Sequence, residues 1–410
     1  MNVIFIVLDT ARAQSFSCYG YDRETTPFID SLADKGVLFQ NARSVSPWTL
    51  PSHASMFTGK YPSEHGAHEL HKYLQDDNET IAEIFSEKGY QTVGFTNNSW
   101  VSEHFGMARG FQYFYKSWQL VQSNTDVTEI KRTAETKMQL YSESLKKVVA
   151  GNVFSNVINT VYGALFRKRV DDGADRTNRL IQKWFQNKYR NEAHYLLFIN
   201  YLEPHLKYHP PKSFSKNFIS DKFSQAQIES VNQDPWAYLL SKVNMNEDDF
   251  AILTALYDAE ISYLDSKIQE LFSYLDSQSL LDNTLVLITS DHGENIGEHN
   301  LMDHQYSLHD TLIKVPFIVS SPSVFSQKTI NEPVETRDIF YMLKNVAGLG
   351  NEDSDLPPYN RNGVLVSKAE YLGPQPTLTA LQNKYKVDVP ESLKRSLLSV
   401  TDNTHKYIHA

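Results

Sequence analysis

Two apolar segments that lie far apart in the chain each end abruptly before an aspartate. The first runs from Val3 to Leu8 and is followed by Asp9; the second, Leu285–Thr289, leads through one serine to Asp291. A short unbroken apolar run is typical of a strand that is covered on both faces of a parallel sheet. Ligands bind beyond the carboxyl ends of such strands. The sequence therefore predicts a buried parallel sheet with acidic side chains at its functional edge.

Strands and helices are predicted to alternate along most of the chain. Further apolar runs occupy residues 92–95, 195–199 and 316–319, and helical patterns lie between them. The longest pattern spans residues 250–271, where apolar side chains recur at steps of three and four. This alternation predicts a doubly wound α/β fold.

Two polar, partly helical regions interrupt the alternation. They span about residues 117–168 and 209–247, and we expect them to form cap insertions over the strand ends. Residues 154–166 carry an apolar helical face followed by basic residues, which favours a buried cap helix and leaves peripheral membrane contact as an alternative. After residue 347 the composition shifts. We predict a catalytic domain over residues 1–347 and a small α+β subdomain over residues 348–410.

Composition excludes several classes of protein. The 410 residues are 41% hydrophobic, so the chain can bury roughly three quarters of its unfolded surface without disulfides. A net charge of −10 with no basic block argues against a nucleic-acid binder. Cys18 is the only cysteine, and neither an export signal nor a membrane-spanning apolar segment is found in the sequence. We expect a cytoplasmic protein without a transmembrane segment; the sequence leaves its oligomeric state open.

Thr49 stands at a predicted helix start, two residues before Pro51. A threonine hydroxyl is a poor nucleophile unless a divalent cation lowers its pKa. The N-terminus of a helix also stabilises phosphate or sulfate groups. Asp9, Asp291 and His292 offer oxygen and nitrogen ligands suited to such a cation. We predict one divalent ion at Asp9, Thr49, Asp291 and His292, with Mn²⁺ or Zn²⁺ favoured over Mg²⁺ or Ca²⁺.

Several motifs follow one another in the order of a known family. They are Asp9, Cys18–Tyr21, Thr25–Pro27, Thr49–Gly59, His65–Gly66, Glu203–His205, Tyr257–Ile261, Thr289–Glu294 and Val315–Pro316. In this order they resemble the sulfatase-type members of the alkaline phosphatase superfamily over most of the chain. The resemblance implies an alkaline-phosphatase-like three-layer α/β sandwich with a mostly parallel central sheet. It also implies a metal-dependent ester hydrolase.

The chain departs from that family at the nucleophile. Type I sulfatases oxidise a Cys or Ser to formylglycine within Cys/Ser-x-Pro-x-Arg, whereas here Thr49 and His53 hold the first and last positions. Oxidation of a threonine would give a ketone instead of the required aldehyde. The combination of Asp9, Thr49, Asp291 and His292 resembles the superfamily's phosphodiesterases, phosphonate monoester hydrolases and phospho-group transferases. By that resemblance Thr49 attacks phosphorus and forms a phosphothreonine, and His53 assists it.

The resemblance also implies residues that contact the substrate. His205 and His304 match positions that touch the substrate anion, so anion binding or leaving-group protonation is expected of them. Asn97 and Asn98 lie where the family binds sulfate. The alternatives are that both histidines are structural, or that Glu203, His205 and His209 with His299 or His304 hold a second metal ion, which the sequence does not indicate.

The predicted activity is hydrolysis of a phosphodiester or phosphonate monoester in a small-molecule, glycan-derived or lipid-derived anionic substrate. One alternative is a sulfuric ester hydrolase that acts on a sulfated glycan or aryl sulfate. A second is transfer of the phospho group to an alcohol. A third is a catalytically idle binding protein, which the presence of Asp9, Thr49, Asp291 and His292 disfavours.

Overall fold

A computed structural model describes residues 1–122, 159, 172–321, 325–350, 356–357, 365–373 and 375–410. Most of the predicted cap insertion at 117–168, including all of the 154–166 helix except Asn159, lies outside the described residues. The strands are β1 (Asn2–Leu8), β2 (Val37–Arg43), β3 (Gln91–Thr96), β4 (Tyr113–Lys116), β5 (Tyr195–Tyr201), β6 (Thr284–Ser290), β7 (Asn295–Ile296), β8 (Met302–Asp303), β9 (Phe317–Ser320), β10 (Lys328–Glu335), β11 (Ser367–Tyr371), β12 (Leu397–Thr401) and β13 (Lys406–His409). The helices are α1 (Pro27–Ala33), α2 (Thr49–Thr58), α3 (Pro62–His65), α4 (Ile81–Glu87), α5 (Ala174–Asn187), α6 (Lys212–Phe218), α7 (Gln225–Ser230), α8 (Pro235–Leu239), α9 (Glu247–Ser277), α10 (Asp310–Ile313), α11 (Asp338–Val346) and α12 (Gln375–Tyr385).

The central sheet has eight strands in the order β10-β2-β9-β6-β1-β5-β3-β4. Strand β9 runs antiparallel to β2 and β6, and the other neighbouring pairs are parallel. The predicted α/β class with a mostly parallel sheet is therefore confirmed. Each predicted apolar run forms a strand of this sheet.

Helices cover both faces of the sheet, which gives three layers. Alternate residues of β1 enter different cores: Phe5 joins the cluster that contains Leu50 of α2, and Ile6 joins the cluster that contains Leu253 of α9. This two-sided burial explains why the strand is apolar at successive positions. The long helix predicted at 250–271 is the central part of α9, which begins at an Asn246 cap.

The adjacent parallel strands β6, β1, β5 and β3 end at one edge of the sheet. Asp9 follows β1, Asn98 lies just after β3, and Asp291 follows β6. In this order Leu8 is the register partner of Ser290. Chain segments that are far apart in sequence therefore deliver polar side chains to one place.

The remaining elements lie outside the central sheet. Residues 209–247 contain the short helices α6, α7 and α8, and β11, β12 and β13 form a separate antiparallel sheet. This C-terminal part is joined to the main sheet region by hydrogen bonds, including Glu370 N to Val45 O at 2.9 Å and Thr377 Oγ1 to Glu69 Oε1 at 2.6 Å. Within the described ranges, no helix is both long and apolar enough to cross a bilayer.

An aromatic cluster packs α2 against the central sheet, and its contribution to stability can be tested. Phe198 of β5 is fully buried, with ring centroids of Phe5 and Phe57 at 5.4 and 4.9 Å. We expect Phe198→Ala to lower the free energy of unfolding by about 3–5 kcal/mol, because it removes a packed ring and leaves a cavity. Tyr407→Ala, at a side chain that is 66% exposed, should change it by less than about 0.5 kcal/mol. Urea unfolding monitored by circular dichroism measures both; equal effects would contradict the packing described here.

Candidate active site

Thr49 is the first residue of α2 and is buried. The preceding residue, Trp48, is extended, so the chain turns into the helix directly at Thr49. The Thr49 side chain lies with its Oγ1 3.4 Å from His292 Nε2 and 3.3 Å from Asn98 Nδ2. The hydroxyl therefore lies at a helix N-terminus, where backbone N–H groups favour an anion.

Three of the predicted metal ligands converge beside Thr49. Asp9, Asp291 and His292 are all fully buried, and their candidate ligand atoms lie within 4.8 Å of one another. Asp9 Oδ1 and Asp291 Oδ2 have no hydrogen-bond partner among the described residues. A buried carboxylate oxygen without a donor is costly unless a cation accompanies it.

The protonation pattern of this cluster fits a divalent cation. His292 Nδ1 donates to the Gly293 carbonyl at 2.9 Å. In the neutral ring Nε2 therefore carries no proton, and its lone pair lies beside Thr49 and Asp291. Burial lowers the pKa of His292 to about 3, so the ring is neutral. Burial raises the pKa of both carboxyls, and repulsion by Asp291 raises that of Asp9 further. A bound cation would remove this repulsion, and two carboxylates with one neutral imidazole suit such an ion.

Asn98 connects Thr49 to Asp9. Its Nδ2 donates to Asp9 Oδ2 at 2.7 Å and lies 3.3 Å from Thr49 Oγ1, while its Oδ1 accepts from Trp100 N. The sequence predicted a substrate-binding role for Asn98 and did not predict this bridge. Asn97 points elsewhere: its Oδ1 accepts from Thr177 of α5 at 2.6 Å. None of its hydrogen bonds reaches the Thr49 cluster within the described residues.

His53 lies one helical turn after Thr49. Its Nδ1 is 2.9 Å from the Thr49 carbonyl and 3.5 Å from Asp291 Oδ2, and the residue is fully buried. Its ring also meets Phe57 and Phe198 edge to face. His53 therefore contacts the Thr49 backbone and the Asp291 carboxylate, and its contacts are with these groups instead of the Thr49 hydroxyl.

His205 and His304 lie together, next to His292. Their ring centroids are 5.1 Å apart, and the His304 centroid is 4.6 Å from that of His292. Burial alone would lower the pKa of His304, but the charges of Asp303 and Glu294 outweigh it and raise this pKa well above its usual value. The two predicted substrate histidines are thus adjacent, and His304 is held as a cation.

Sequence reasoning missed the acidic partners of His304. Asp303 Oδ1 lies 2.5 Å from His304 Nδ1, and the fully buried Glu294 lies 3.8 Å from the same atom. The available signal was local: an aspartate directly before the histidine, and a glutamate three residues after Asp291, just beyond the end of β6.

The ligand set weighed for a second metal is not brought together. Glu203 Oε1 accepts from the backbone of Asp172 and Ala174 at the start of α5, and His209 donates its backbone N–H to Glu260. In the described part of the chain, the acidic and histidine groups with converging ligand atoms are the Asp9 cluster and the Glu294, Asp303 and His304 cluster.

The family model named Sulfatase matches residues 1–349. The chain belongs to the sulfatase family. Among curated relatives of this sulfatase-family chain, the ulvan-active sulfatase of Formosa agariphila is 25% identical over 401 residues, covering 92% of this chain and 70% of the relative. Iduronate 2-sulfatase of Mus musculus is 27% identical over 349 residues, covering 78% of this chain and 59% of the relative. The chain thus spans less than two thirds of that relative.

A solved structure supports the same fold. The phosphonate monoester hydrolase of Agrobacterium radiobacter aligns with a TM-score of 0.71 and 18% identity, covering 100% of this chain and 87% of that chain. The predicted alkaline-phosphatase-like fold and the predicted ester hydrolase class are confirmed for this sulfatase-family chain.

Removal of a ligand carboxylate tests the metal cluster. We expect Asp291→Asn to weaken divalent metal binding by about 100-fold or more, because even residues that only orient ligands contribute 10–100-fold. The measurement is metal content after dialysis, by mass spectrometry, with titration of Mn²⁺ and Zn²⁺. Asp310→Asn serves as the matched control, since that carboxylate is ion-paired with Lys406 instead. Equal metal retention in both variants would contradict the site.

The two neighbouring asparagines provide a second test. Asn98→Ala should weaken metal binding by about 10–100-fold, because it removes the donor that orients Asp9. Asn97→Ala should leave metal affinity unchanged, because its side chain is bonded to Thr177. Isothermal titration of Mn²⁺ into each variant measures the difference. If the Asn97 variant loses metal affinity and the Asn98 variant does not, the bridge assigned to Asn98 is wrong.

Proposed function

We propose that this sulfatase-family chain hydrolyses phosphodiesters or phosphonate monoesters, with Thr49 as the nucleophile. The observation that carries the proposal is the position of the Thr49 hydroxyl, buried at the start of α2 and directed at His292 and Asn98. The family's alternative nucleophile, formylglycine, cannot be formed from a threonine. A hydroxyl that attacks directly is the chemistry that this residue offers.

The charge of the site favours a substrate with a single negative charge. Four carboxylates lie here: Asp9, Asp291, Glu294 and Asp303. Among the described residues, the side chains ion-paired with them are histidines, not lysine or arginine. One divalent ion and one imidazolium would offset most of this negative charge, but they would leave too little positive charge at the site to attract a dianion. Phosphodiesters and phosphonate monoesters carry one charge, whereas phosphate monoesters carry nearly two at neutral pH.

Each residue of the site has a separate role in the first half of the proposed reaction. A divalent ion held by Asp9, Asp291, His292 and Thr49 would lower the pKa of the threonine hydroxyl. Thr49 Oγ1 forms a bond to phosphorus while the bond from phosphorus to the leaving alcohol oxygen breaks. The Asn98 amide and the N-terminus of α2 stabilise the negative charge on the oxygens. The departing oxygen takes a proton from His304 or His205.

The second half of the reaction regenerates the enzyme. Water attacks the phosphothreonine, the same histidine pair accepts the proton that water loses, and Thr49 leaves in the deprotonated form in which it attacked, which the divalent ion would stabilise. An acceptor alcohol in place of water would give transfer. The proposal favours hydrolysis on the strength of the hydrolases among the relatives and structural neighbours.

A second candidate function is hydrolysis of a sulfuric ester, such as a sulfated glycan or an aryl sulfate. The specific observation in its favour is that the relatives at 25% identity or above are named sulfatases. A sulfate monoester also carries one negative charge, so the charge argument does not separate it from a phosphonate monoester. The nucleophile separates the two, because Thr49 departs from the formylglycine precursor.

Substrate panels on purified, metal-loaded protein test the proposal. We expect turnover of 4-nitrophenyl phenylphosphonate or bis-4-nitrophenyl phosphate to exceed that of 4-nitrophenyl sulfate and 4-nitrophenyl phosphate. Thr49→Ala should lower kcat by at least about 1,000-fold, because it removes the attacking atom. Thr49→Ser should stay within about tenfold of the wild type, because the hydroxyl remains.

Direct detection of the intermediate completes the test. Rapid quenching with a slow diester should leave on the peptide that contains Thr49 the mass of the substrate's phosphoryl group with its remaining ester group, that is, the substrate minus its leaving alcohol. The Thr49→Ala variant should show no such increase. Metal content should be similar in both proteins. Dominant sulfate turnover would favour the second candidate function, and equal turnover by Thr49→Ala would overturn both.

A further inference from the structure

The proposed site contains a second group of titratable side chains behind the substrate histidines. Glu294, Asp303 and His304 have candidate ligand atoms that all lie within 4.8 Å of one another. They adjoin the metal cluster, because the His304 ring centroid is 4.6 Å from that of His292. Neither acidic residue has a part in the reaction steps described for Thr49, so their presence needs its own explanation.

Both carboxylates approach the same ring nitrogen. Asp303 Oδ1 lies 2.5 Å from His304 Nδ1, and Glu294 Oε1 lies 3.8 Å from it. The Asp303 carboxylate also accepts the backbone N–H of His304 at 2.8 Å. Glu294 is fully buried, and its two oxygens make no hydrogen bond within the described ranges. His304 Nδ1 also has no hydrogen-bond partner within the described ranges, so the two contacts are ion pairs, with both carboxylates on one edge of the imidazole.

A cation shared by these three side chains is a poorer explanation. Nitrogen and oxygen ligands of Zn²⁺ lie about 2.1 Å from the ion, so two ligands in a tetrahedral arrangement are separated by roughly 3.4 Å. The contact between Asp303 Oδ1 and His304 Nδ1, at 2.5 Å, is much shorter. A contact this short leaves no room for an ion between the two atoms, so it is a direct ion pair between Asp303 and His304.

The backbone around His304 is held in an unusual conformation. Asp303, Gln305 and Tyr306 have φ values of 75°, 76° and 62°, in the left-handed region that disfavours most L residues. This loop is tied to the nucleophile segment, because Gln305 N donates to the Pro47 carbonyl at 3.2 Å. Asn295 Nδ2 also donates to the Asp303 carbonyl at 3.2 Å. Strain of this kind persists where surrounding contacts enforce it, and it is concentrated at functional sites.

We propose that Asp303 and Glu294 are positioning residues that act through His304. They hold the imidazole by its Nδ1 edge, so that Nε2 is the ring nitrogen left for the substrate ester. His205 shows the same use of its ring, with Nδ1 placed 2.6 Å from the Leu206 carbonyl. In both histidines Nδ1 faces an oxygen atom of the protein, so Nε2 is the ring nitrogen that is available to the substrate. This inference rests on the proposed function, which assigns a substrate contact to His304.

A double-mutant cycle tests the proposal. Asp303→Gly deletes the side chain and Asp303→Asn replaces the carboxylate, and both residue types tolerate the φ of 75°. Each should lower kcat/KM for the ester that the wild type turns over by about 10–100-fold. In a His304→Ala background each should cost less than about threefold, because no ring remains to be positioned. Glu294→Gln should follow the same pattern.

Asp310→Asn is the matched control, because that carboxylate lies in the same stretch of chain but is paired with Lys406 at 2.8 Å. It should leave kcat/KM unchanged. A loss in Asp303→Gly that is equally large with and without His304 would mean that the loop has a structural role, and would overturn the proposal. A second metal ion per chain that disappears in Glu294→Gln would also overturn it, because a cation would then occupy the cluster.

A spectroscopic measurement keeps this inference separate from the proposed function. Histidine side-chain ¹⁵N spectra, assigned with His304→Ala, should show a protonated Nδ1 on His304 in the wild type and a changed Nδ1 shift in Asp303→Gly, where the carboxylate beside that nitrogen is removed. Identical His304 signals in the two proteins would overturn the positioning role. A chain that turns over none of the esters would contradict the proposed function, while the spectra would still decide the role of Asp303.

Discussion

The site depends on the repulsion between two carboxylates that the parallel sheet forces together. Asp9 and Asp291 follow neighbouring strands in register, and both are fully buried. Water cannot screen them there, so each raises the cost of ionising the other. Neutral His292 adds no positive charge, and the amide of Asn98 reaches only one oxygen of Asp9. A divalent ion is the simplest counter-charge of the right size, which couples metal binding to the stability of this sheet edge.

The sheet, helix α2 and the convergence of Asp9, Asp291 and His292 could be predicted from the sequence because each has a local signature. Continuous apolar runs identify strands that are buried on both faces, and the aspartates that follow them must lie at one edge when the strands are parallel. Pro51 identifies the start of α2 because its fixed φ suits the first helical turn. Apolar runs and prolines report on burial and on backbone conformation, and both can be read from a single sequence.

The side-chain contacts within the site could not be predicted in the same way. Asn97 and Asn98 are adjacent in the bend that follows β3, and two neighbouring residues of the same type give no sign of which one faces Thr49, so only the structure shows it. The link between Asp303 and His304 depends on left-handed backbone at a residue that is not glycine. That conformation is imposed by contacts with distant segments, and residue type alone does not specify it.

The proposed threonine nucleophile determines what the rest of the site must provide. A formylglycine hydrate can expel its bound ester group by elimination, whereas an ester of Thr49 has no such route and must be attacked by water at phosphorus or sulfur. The group that gives a proton to the first leaving oxygen must then take one from that water. A histidine can perform both steps near neutral pH because its proton affinity is intermediate. In the proposed mechanism, the partly buried His304 imidazole, which lies beside Asp303, Glu294 and the second imidazole of His205, is placed to perform both steps.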